Sequence, residues 1–104
     1  MAQKAVVWTN TSSRQLHQVL EYWVERNGTA TYSLKLLDLI EKRTAGIAEK
    51  PLSCKRSVFP NSRVASMGHY SIYYKVTSTK VIVTAFWDNR QDPKKLHELM
   101  AKKT

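Results

Sequence analysis

Cysteine is nearly absent from this sequence of 104 residues, in which Cys54 stands alone. One thiol excludes a disulfide framework within the chain, and the three histidines show no spacing typical of zinc ligands. Long apolar runs are also lacking: no segment approaches the roughly 18–20 residues that span a bilayer, and the N-terminal region has no apolar signal-peptide core. These absences predict a cytoplasmic protein without membrane contact, metal ion or cofactor.

Acidic residues are scarce as well, since eight Asp and Glu oppose seventeen Lys and Arg, giving a net charge of +9. The imbalance lies in the second half of the chain. Residues 1–49 carry six basic against five acidic side chains, whereas residues 50–104 carry eleven against three. Such a surface attracts an acidic partner, either nucleic acid or an acidic protein segment. The alternative is a solvated basic face that only aids solubility.

The length and apolar content indicate a folded protein. A chain of 104 residues leaves room for one domain with one modest core, here expected to span residues 1–104. The hydrophobic fraction of 42% is that of a globular chain, so disorder is not predicted.

Two helices are predicted after a short strand at residues 4–9. Residues 12–26 place apolar side chains at the i, i+3, i+4 and i+7 positions of one helical face, and residues 30–48 do the same. Residues 10–12 offer side chains that cap the first helix, and the Asn-Gly pair at 27–28 tolerates the left-handed backbone of a helix end. The two helices should therefore form an antiparallel hairpin.

Strands dominate the second half of the prediction. Residues 63–67 form a short candidate strand, and residues 70–76 alternate apolar and polar side chains, which indicates a strand with one buried face. Residues 80–87 are apolar on both faces. We therefore expect this last strand to be central and covered on both sides.

A short helix is predicted after the last strand, with Asp92 as its cap and Pro93 at its first position. It should end at Lys102 and Lys103, and its apolar face should hold Leu96, Leu99 and Met100. The complete order is β-α-α-β-β-β-α. This order predicts an α+β fold in which a two-helix hairpin packs on a small, mainly antiparallel sheet, followed by the short C-terminal helix.

The segment FWDNRQDPKKL at residues 86–96 leads from the central strand into that helix. Arg90 lies between Asp88 and Asp92, at a strand end where side chains are presented on a rigid base. Two interpretations follow. Arg90 either forms an ion pair that holds the turn or meets an external partner.

Four segments in this order resemble the ParE/RelE superfamily of bacterial type II toxins: VVWT at 6–9, LLDLIEKRTAGIAEKP at 36–51, MGHYSIYYKV at 67–76 and DNRQDPKKL at 88–96. The resemblance covers nearly the whole chain. It implies a small basic protein of the ParE/RelE fold that inhibits growth until a cognate protein antitoxin binds it.

RelE-type members cleave mRNA in the ribosome, and the resemblance implies a set of cationic and proton-transferring residues for that reaction. Here the arginine expected after the tyrosine of the third strand falls on Ser71, and the tyrosine expected in the tail falls on Leu96. The lysines expected on the preceding strand fall on or near Ser62 and Val64. Only Arg90 is in place, so the nuclease set is largely missing.

ParE-type members lack the nuclease set and carry an R-x-D-P tail such as residues 90–93. The resemblance to this branch implies inhibition of DNA gyrase by binding, without catalysis. The alternative is a ribosome-dependent mRNA endonuclease, with the ribosome and mRNA as partners and a substitute set of Arg90, Arg63, Lys75 and His69. A non-toxic nucleic-acid-binding domain has less support, because neither helix concentrates basic residues as a recognition helix does.

Two contact surfaces are predicted. Target binding should use basic side chains of the second half and two aromatic side chains, if these face outward: Arg90, Lys55, Arg56, Arg63, Lys75, Trp87 and Tyr73. Antitoxin binding is predicted on the helices, because their apolar positions exceed what a small sheet covers; the candidates are Leu16, Val19, Leu20, Trp23, Leu36 and Ile40. Strand edges offer a second docking place through β-augmentation.

Overall fold

The structure, a computed structural model, describes residues 4–101. Its elements follow the predicted β-α-α-β-β-β-α order and form the expected α+β fold. They are β1 (Ala5–Trp8), α1 (Asn10–Asn27), α2 (Thr31–Glu49), β2 (Arg63–Met67), β3 (Tyr70–Val76), β4 (Lys80–Asp88) and α3 (Pro93–Ala101). Within the described range, every helix is too short or too polar to cross a lipid bilayer.

Helix α1 is capped by Thr9, so the prediction of a cap among residues 10–12 was wrong. Thr9 still has the extended backbone of the preceding strand, with φ −72° and ψ 163°, and its hydroxyl accepts a hydrogen bond from the Ser12 amide at 3.1 Å. The other end follows the prediction. Gly28 adopts a left-handed conformation at φ 72°, and its amide donates to the Val24 carbonyl.

Helices α1 and α2 form the predicted hairpin over one face of the sheet. The Ser33 hydroxyl donates to the Leu20 carbonyl at 2.7 Å and joins the two helices near their connection. Leu36, Ile40 and Ile47 lie on the buried stripe of α2, as the periodicity predicted.

The sheet has the strand order β1-β4-β3-β2, with β4 and β3 in the centre. Strand β1 pairs with β4 in parallel, and the other two pairings are antiparallel, which confirms the mainly antiparallel prediction. The register between β3 and β4 shifts where Tyr73 pairs with Ala85 and Tyr74 pairs with Val83. Thr84 is therefore the extra residue of a β-bulge, which reverses the alternation of faces along β4.

The bulge determines which side chains of β4 lie on each of the two apolar faces of the sheet. Before it, Val81 and Val83 face the helical hairpin, and after it Phe86 joins them in the main core. Ala85 and Trp87 turn to the opposite face, where they pack with Leu96 of α3 in a smaller cluster. Strand β4 is thus covered on both sides, as its uninterrupted apolar sequence indicated.

Two details of the predicted faces differ in the structure. Leu99 was expected on the apolar face of α3 but is 38% exposed, because the contact of α3 with the sheet is made through Leu96 and Met100. Ser71 was expected on the exposed face of β3 but is buried, with its hydroxyl bonded to Asn89 Oδ1 at 3.0 Å. The predicted end of α3 at residues 102–103 lies outside the described residues.

Ser12 is expected to stabilise the junction of α1 with β4. Its side chain is fully buried and donates to the Val83 carbonyl at 2.8 Å. The Thr9 amide also donates to this carbonyl, at 3.1 Å, so Ser12→Ala removes one of its two hydrogen bonds. The substitution should lower the free energy of unfolding by about 1 kcal/mol, as measured by urea denaturation. Ser13→Ala, one position later on the same helix, is the control and should change stability by under about 0.5 kcal/mol. Equal effects of the two substitutions would contradict this role.

Candidate functional site

Arg90 lies in the turn that follows β4 and is held by Asp88. Its backbone amide and its Nε both donate to Asp88 Oδ1 at 2.9 Å, and an Nη atom contacts Oδ2 at 2.8 Å. The Asp88 side chain is 14% exposed and that of Arg90 is 48% exposed. The ion pair of the first sequence interpretation is therefore present, and an external contact of Arg90 stays a prediction.

Two aromatic rings back the Arg90 guanidinium. Its central carbon lies 6.0 Å from the ring centroids of both Trp23 and Tyr70, within range of cation–π attraction. The Trp23 indole N–H donates to the Tyr70 hydroxyl at 3.0 Å and locks the two rings together. The side-chain hydrogen bonds from Arg90 hold the pKa of Asp88 below its ordinary value, so the carboxylate stays charged around neutral pH.

A groove of about 520 Å³ lies beside this ion pair, between α1 and the end of β4. Amides and aromatic rings dominate its lining, with one cation and one carboxylate: Gln15, Gln18, Val19, Tyr22, Trp23, Phe86, Trp87, Asp88, Arg90 and Gln91. Because Asp88 and Arg90 neutralise each other, the groove suits an uncharged or apolar group better than a phosphate.

The other predicted cations lie at the opposite end of the sheet. Arg63 opens β2 opposite Tyr74, and its guanidinium donates to the Cys54 carbonyl at 2.7 Å. Lys55, Arg56 and Lys75 are exposed nearby, and no acidic residue occurs between positions 50 and 87. We call Lys55, Arg56, Arg63 and Lys75 the basic patch.

The substitute nuclease set is not brought together. His69 shares the Arg90 end of the sheet, because its carbonyl accepts from the Asn89 amide at 2.8 Å. Asp88 pairs with Tyr70, whereas Arg63 pairs with Tyr74, so four strand residues, roughly 13 Å, separate the two groups. The four residues named for that reaction thus occupy two places rather than one site.

Several predicted contact residues are not on the surface. Leu36 and Ile40 are 3% and 2% exposed and belong to the core beneath the helices, so they offer an antitoxin no surface in this conformation. Trp87 is 7% exposed, because the bulge turns it under α3. Tyr73 is half-buried against the Phe59 ring, with centroids 5.3 Å apart.

The helices retain a half-buried and exposed apolar surface. Leu16, Val19, Leu20 and Trp23 are half-buried and pack on the core with their inner sides. Val24 was predicted on the apolar face of α1 but is 38% exposed. Four other large apolar side chains on the helices are exposed and were not predicted, since they fall outside the main helical stripe or at its edge: Tyr22, Tyr32, Leu34 and Leu39. Their apolar character at polar-face positions was the available sequence signal. Among residues 4–101, no three His, Cys, Asp or Glu side chains group closely enough to hold a metal ion.

Comparisons with known proteins agree with this architecture. A protein-family model described as the ParE toxin of type II toxin–antitoxin system, parDE, matches residues 6–93. A search of curated proteins found no match. The chromosomal ParDE toxin–antitoxin system from P. aeruginosa is similar with a TM-score of 0.70 at 16% identity, over 81% of this chain and 94% of that one. The RelBE2 toxin–antitoxin complex from Mycobacterium tuberculosis gives a TM-score of 0.59 at 19% identity, over 82% and 96%. At these identities, structural likeness shows the fold.

Removal of the Arg90 side chain should raise the pKa of Asp88, because the side-chain hydrogen bonds from Arg90 are the largest cause of its low value. A carboxyl group whose pKa is lower in the folded state stabilises the protein at pH values above its unfolded-state pKa. This stabilisation is lost as the pH falls through the folded-state pKa. Arg90→Ala and the unchanged protein should therefore differ in stability at neutral pH and converge as the pH falls through the lowered pKa of Asp88. Carboxyl NMR titration and urea denaturation measure both effects. Arg14→Ala is the control; an unchanged Asp88 titration in Arg90→Ala would contradict the assignment.

Proposed function

Because the chain belongs to the ParE toxin family of type II toxin–antitoxin systems, we propose that it is a cytoplasmic growth inhibitor that acts by binding DNA gyrase. In this proposal the protein has no catalytic role of its own. A cognate antitoxin neutralises it by covering part of its surface.

The proposal of a non-catalytic protein rests on one observation: the candidate nuclease side chains lie at two opposite ends of the sheet. Cleavage of a phosphodiester requires a base, an acid and charge stabilisers within hydrogen-bond reach of one reacting group. Here Ser71 is buried on Asn89 and Leu96 is buried against the sheet, so neither position supplies such a group. Arg90, the one residue that matches the nuclease pattern, has two side-chain nitrogens engaged by Asp88.

The basic patch is the proposed contact with the gyrase–DNA complex. Its side chains lie at one end of the sheet, and no carboxylate occurs between positions 50 and 87. Their positive electrostatic potentials therefore add. Leu52 and Val58 lie with Lys55 and Arg56 in the loop between α2 and β2 and are 67% and 77% exposed. They add apolar area that a protein target can bury. Charge would speed encounter, and apolar contact would prolong the complex.

The antitoxin is proposed to cover the helical surface instead. The exposed side chains of Tyr22, Tyr32 and Leu34 and the half-buried Trp23 lie on α1 and α2, away from the basic patch. The rings of Trp23 and Tyr32 lie 5.0 Å apart and form a rigid aromatic platform. A partner helix or an extended segment could bury this surface, and acidic residues in the same partner would suit the net charge of +9.

Cleavage of mRNA on the ribosome is the second candidate. It is favoured by one observation, which is that His69 and Arg90 lie at the same end of the sheet and supply a titratable and a cationic group. In this case His69 and Arg90 would supply the proton transfer and the charge stabilisation between them.

Pulse-labelling in bacteria separates the two candidates. After induction of the chain without antitoxin, gyrase inhibition should reduce DNA synthesis within minutes, before protein synthesis falls. An early fall in protein synthesis with DNA synthesis maintained would instead establish the ribosomal target. Induction of the same gene with an early stop codon provides the baseline.

The role of the basic patch is tested by charge reversal. Arg56→Glu should raise the concentration needed to inhibit supercoiling by purified gyrase by about tenfold, because it replaces an attractive charge with a repulsive one at the contact. Lys35→Glu on α2 makes the same change of charge away from the patch and should have an effect of under about twofold. Equal losses in the two variants would show that only net charge matters, which would refute a contact at the patch.

A further inference from the structure

The edge of β4 changes neighbours halfway along its length. Strand β1 pairs with residues 80–83 and ends at Trp8, but β4 continues to Asp88. Beyond β1 the chain turns into α1, whose side chains replace a strand. Ser12 donates to the Val83 carbonyl, and Gln15 Oε1 accepts from the Phe86 amide at 2.9 Å. The groove described above lies along this continuation.

The backbone direction along this edge follows from two hydrogen bonds. The Asn89 amide donates to the His69 carbonyl, toward β3, whereas the Phe86 amide donates to Gln15 on the opposite side. Because strand residues alternate direction with a period of two, the Phe86 carbonyl and the Asp88 amide also point away from β3, toward the groove. Neither group has a hydrogen-bond partner among residues 4–101, so they form a free donor and acceptor pair on the sheet edge.

This pair selects the orientation of an added strand. An antiparallel strand needs the amide and carbonyl of a single residue, but the Phe86 amide is bonded to Gln15 and the Asp88 carbonyl accepts from the Gln91 amide at 3.0 Å. A parallel strand needs the carbonyl of one residue and the amide two positions later. Phe86 and Asp88 offer that combination, in line with the parallel strand β1.

A second observation points to a missing acceptor. Gln15 is 8% exposed and lines the groove, and its Nε2 has no hydrogen-bond partner among the described residues. The bond from the Phe86 amide to Oε1 fixes the orientation of the carboxamide. Nε2 is therefore a buried donor without an acceptor, which lowers the stability of the folded protein. The nitrogen is closed to solvent in this conformation. Neighbouring side chains must therefore move before the carbonyl of a bound segment reaches it.

We propose that the groove receives an extended segment of the antitoxin, which adds to β4 as a short parallel strand in line with β1. One residue of this segment donates its amide to the Phe86 carbonyl and accepts from the Asp88 amide, and an adjacent carbonyl accepts from Gln15 Nε2. An apolar side chain of the segment packs on Val19 and Trp23, which line the groove. The segment is uncharged at this point because Arg90 already neutralises Asp88.

The inference rests on the proposed function only for the antitoxin as the source of the segment. Its test uses no growth or gyrase measurement, so failure of either proposal is seen separately. The probe is a terminally blocked apolar tripeptide, acetyl-Val-Leu-Val-methylamide, added to the ¹⁵N-labelled protein. The resonances to follow are the Asp88 amide and the Gln15 side-chain amide, with the Arg63 backbone amide at the other end of the sheet as a remote reference.

Binding of the peptide should shift both amide resonances and leave the Arg63 backbone amide in place. Gln15→Glu keeps an acceptor for the Phe86 amide but replaces the donor, so it should weaken peptide binding by about tenfold. Gln18→Glu adds the same charge at the exposed rim of the groove and should change affinity by under about twofold. Asp88 should also exchange its amide hydrogen more slowly in the complex with full-length antitoxin than in the free protein.

Three results would overturn the proposal. One is the absence of any shift at peptide concentrations up to about 10 mM. Another is an equal loss of affinity in the two Glu variants, which would show a general effect of charge. The third is unchanged exchange of the Asp88 amide in the antitoxin complex, which would place the antitoxin elsewhere even if the peptide binds.

Discussion

Attachment of α1 to the uncovered edge of β4 is the constraint on which the rest of the structure depends. Backbone groups of a central strand must be satisfied when they are buried, and β1 is too short to serve the whole of β4. The Thr9 amide and the Ser12 hydroxyl both donate to the Val83 carbonyl, and one turn later the Gln15 carboxamide accepts from the Phe86 amide, which no strand reaches. They place the helical hairpin over one face of the sheet and leave a groove where their reach ends.

The bulge at Thr84 extends this arrangement to the other face. Without the extra residue, side chains two positions apart would lie on the same face along the whole of β4. With it, Val83 and Phe86 share the main core while Trp87 joins the cluster under α3. The bulge thus determines which side chains of β4 pack under the helical hairpin and which pack under α3.

The distribution of charge separates two surfaces that serve different partners in the proposed function. The basic patch occupies the end of the sheet at which β2 begins, and the exposed apolar residues lie on the helices. Arg90 belongs to neither surface. It is paired with Asp88 beside the groove, so its mutation would change local electrostatics and turn geometry as well as any contact with a target.

Local patterns in the sequence determined the secondary structure, because helix and strand periodicities and turn residues act within a few positions along the chain. They also placed Gly28 and Pro93 at helix boundaries, and family motifs identified the toxin class. Tertiary structure alone decided which side chains reach the surface: Leu36 and Ile40 were predicted to contact an antitoxin but are buried over the sheet. The bulge, the distance between the Arg63 and Arg90 ends, and the groove on β4 likewise arise from strand register. The groove depends on the pairing of β1 with β4, whose residues, such as Ala5 and Lys80, are far apart in sequence, and the bulge depends on packing against both faces of β4. No local pattern specifies either.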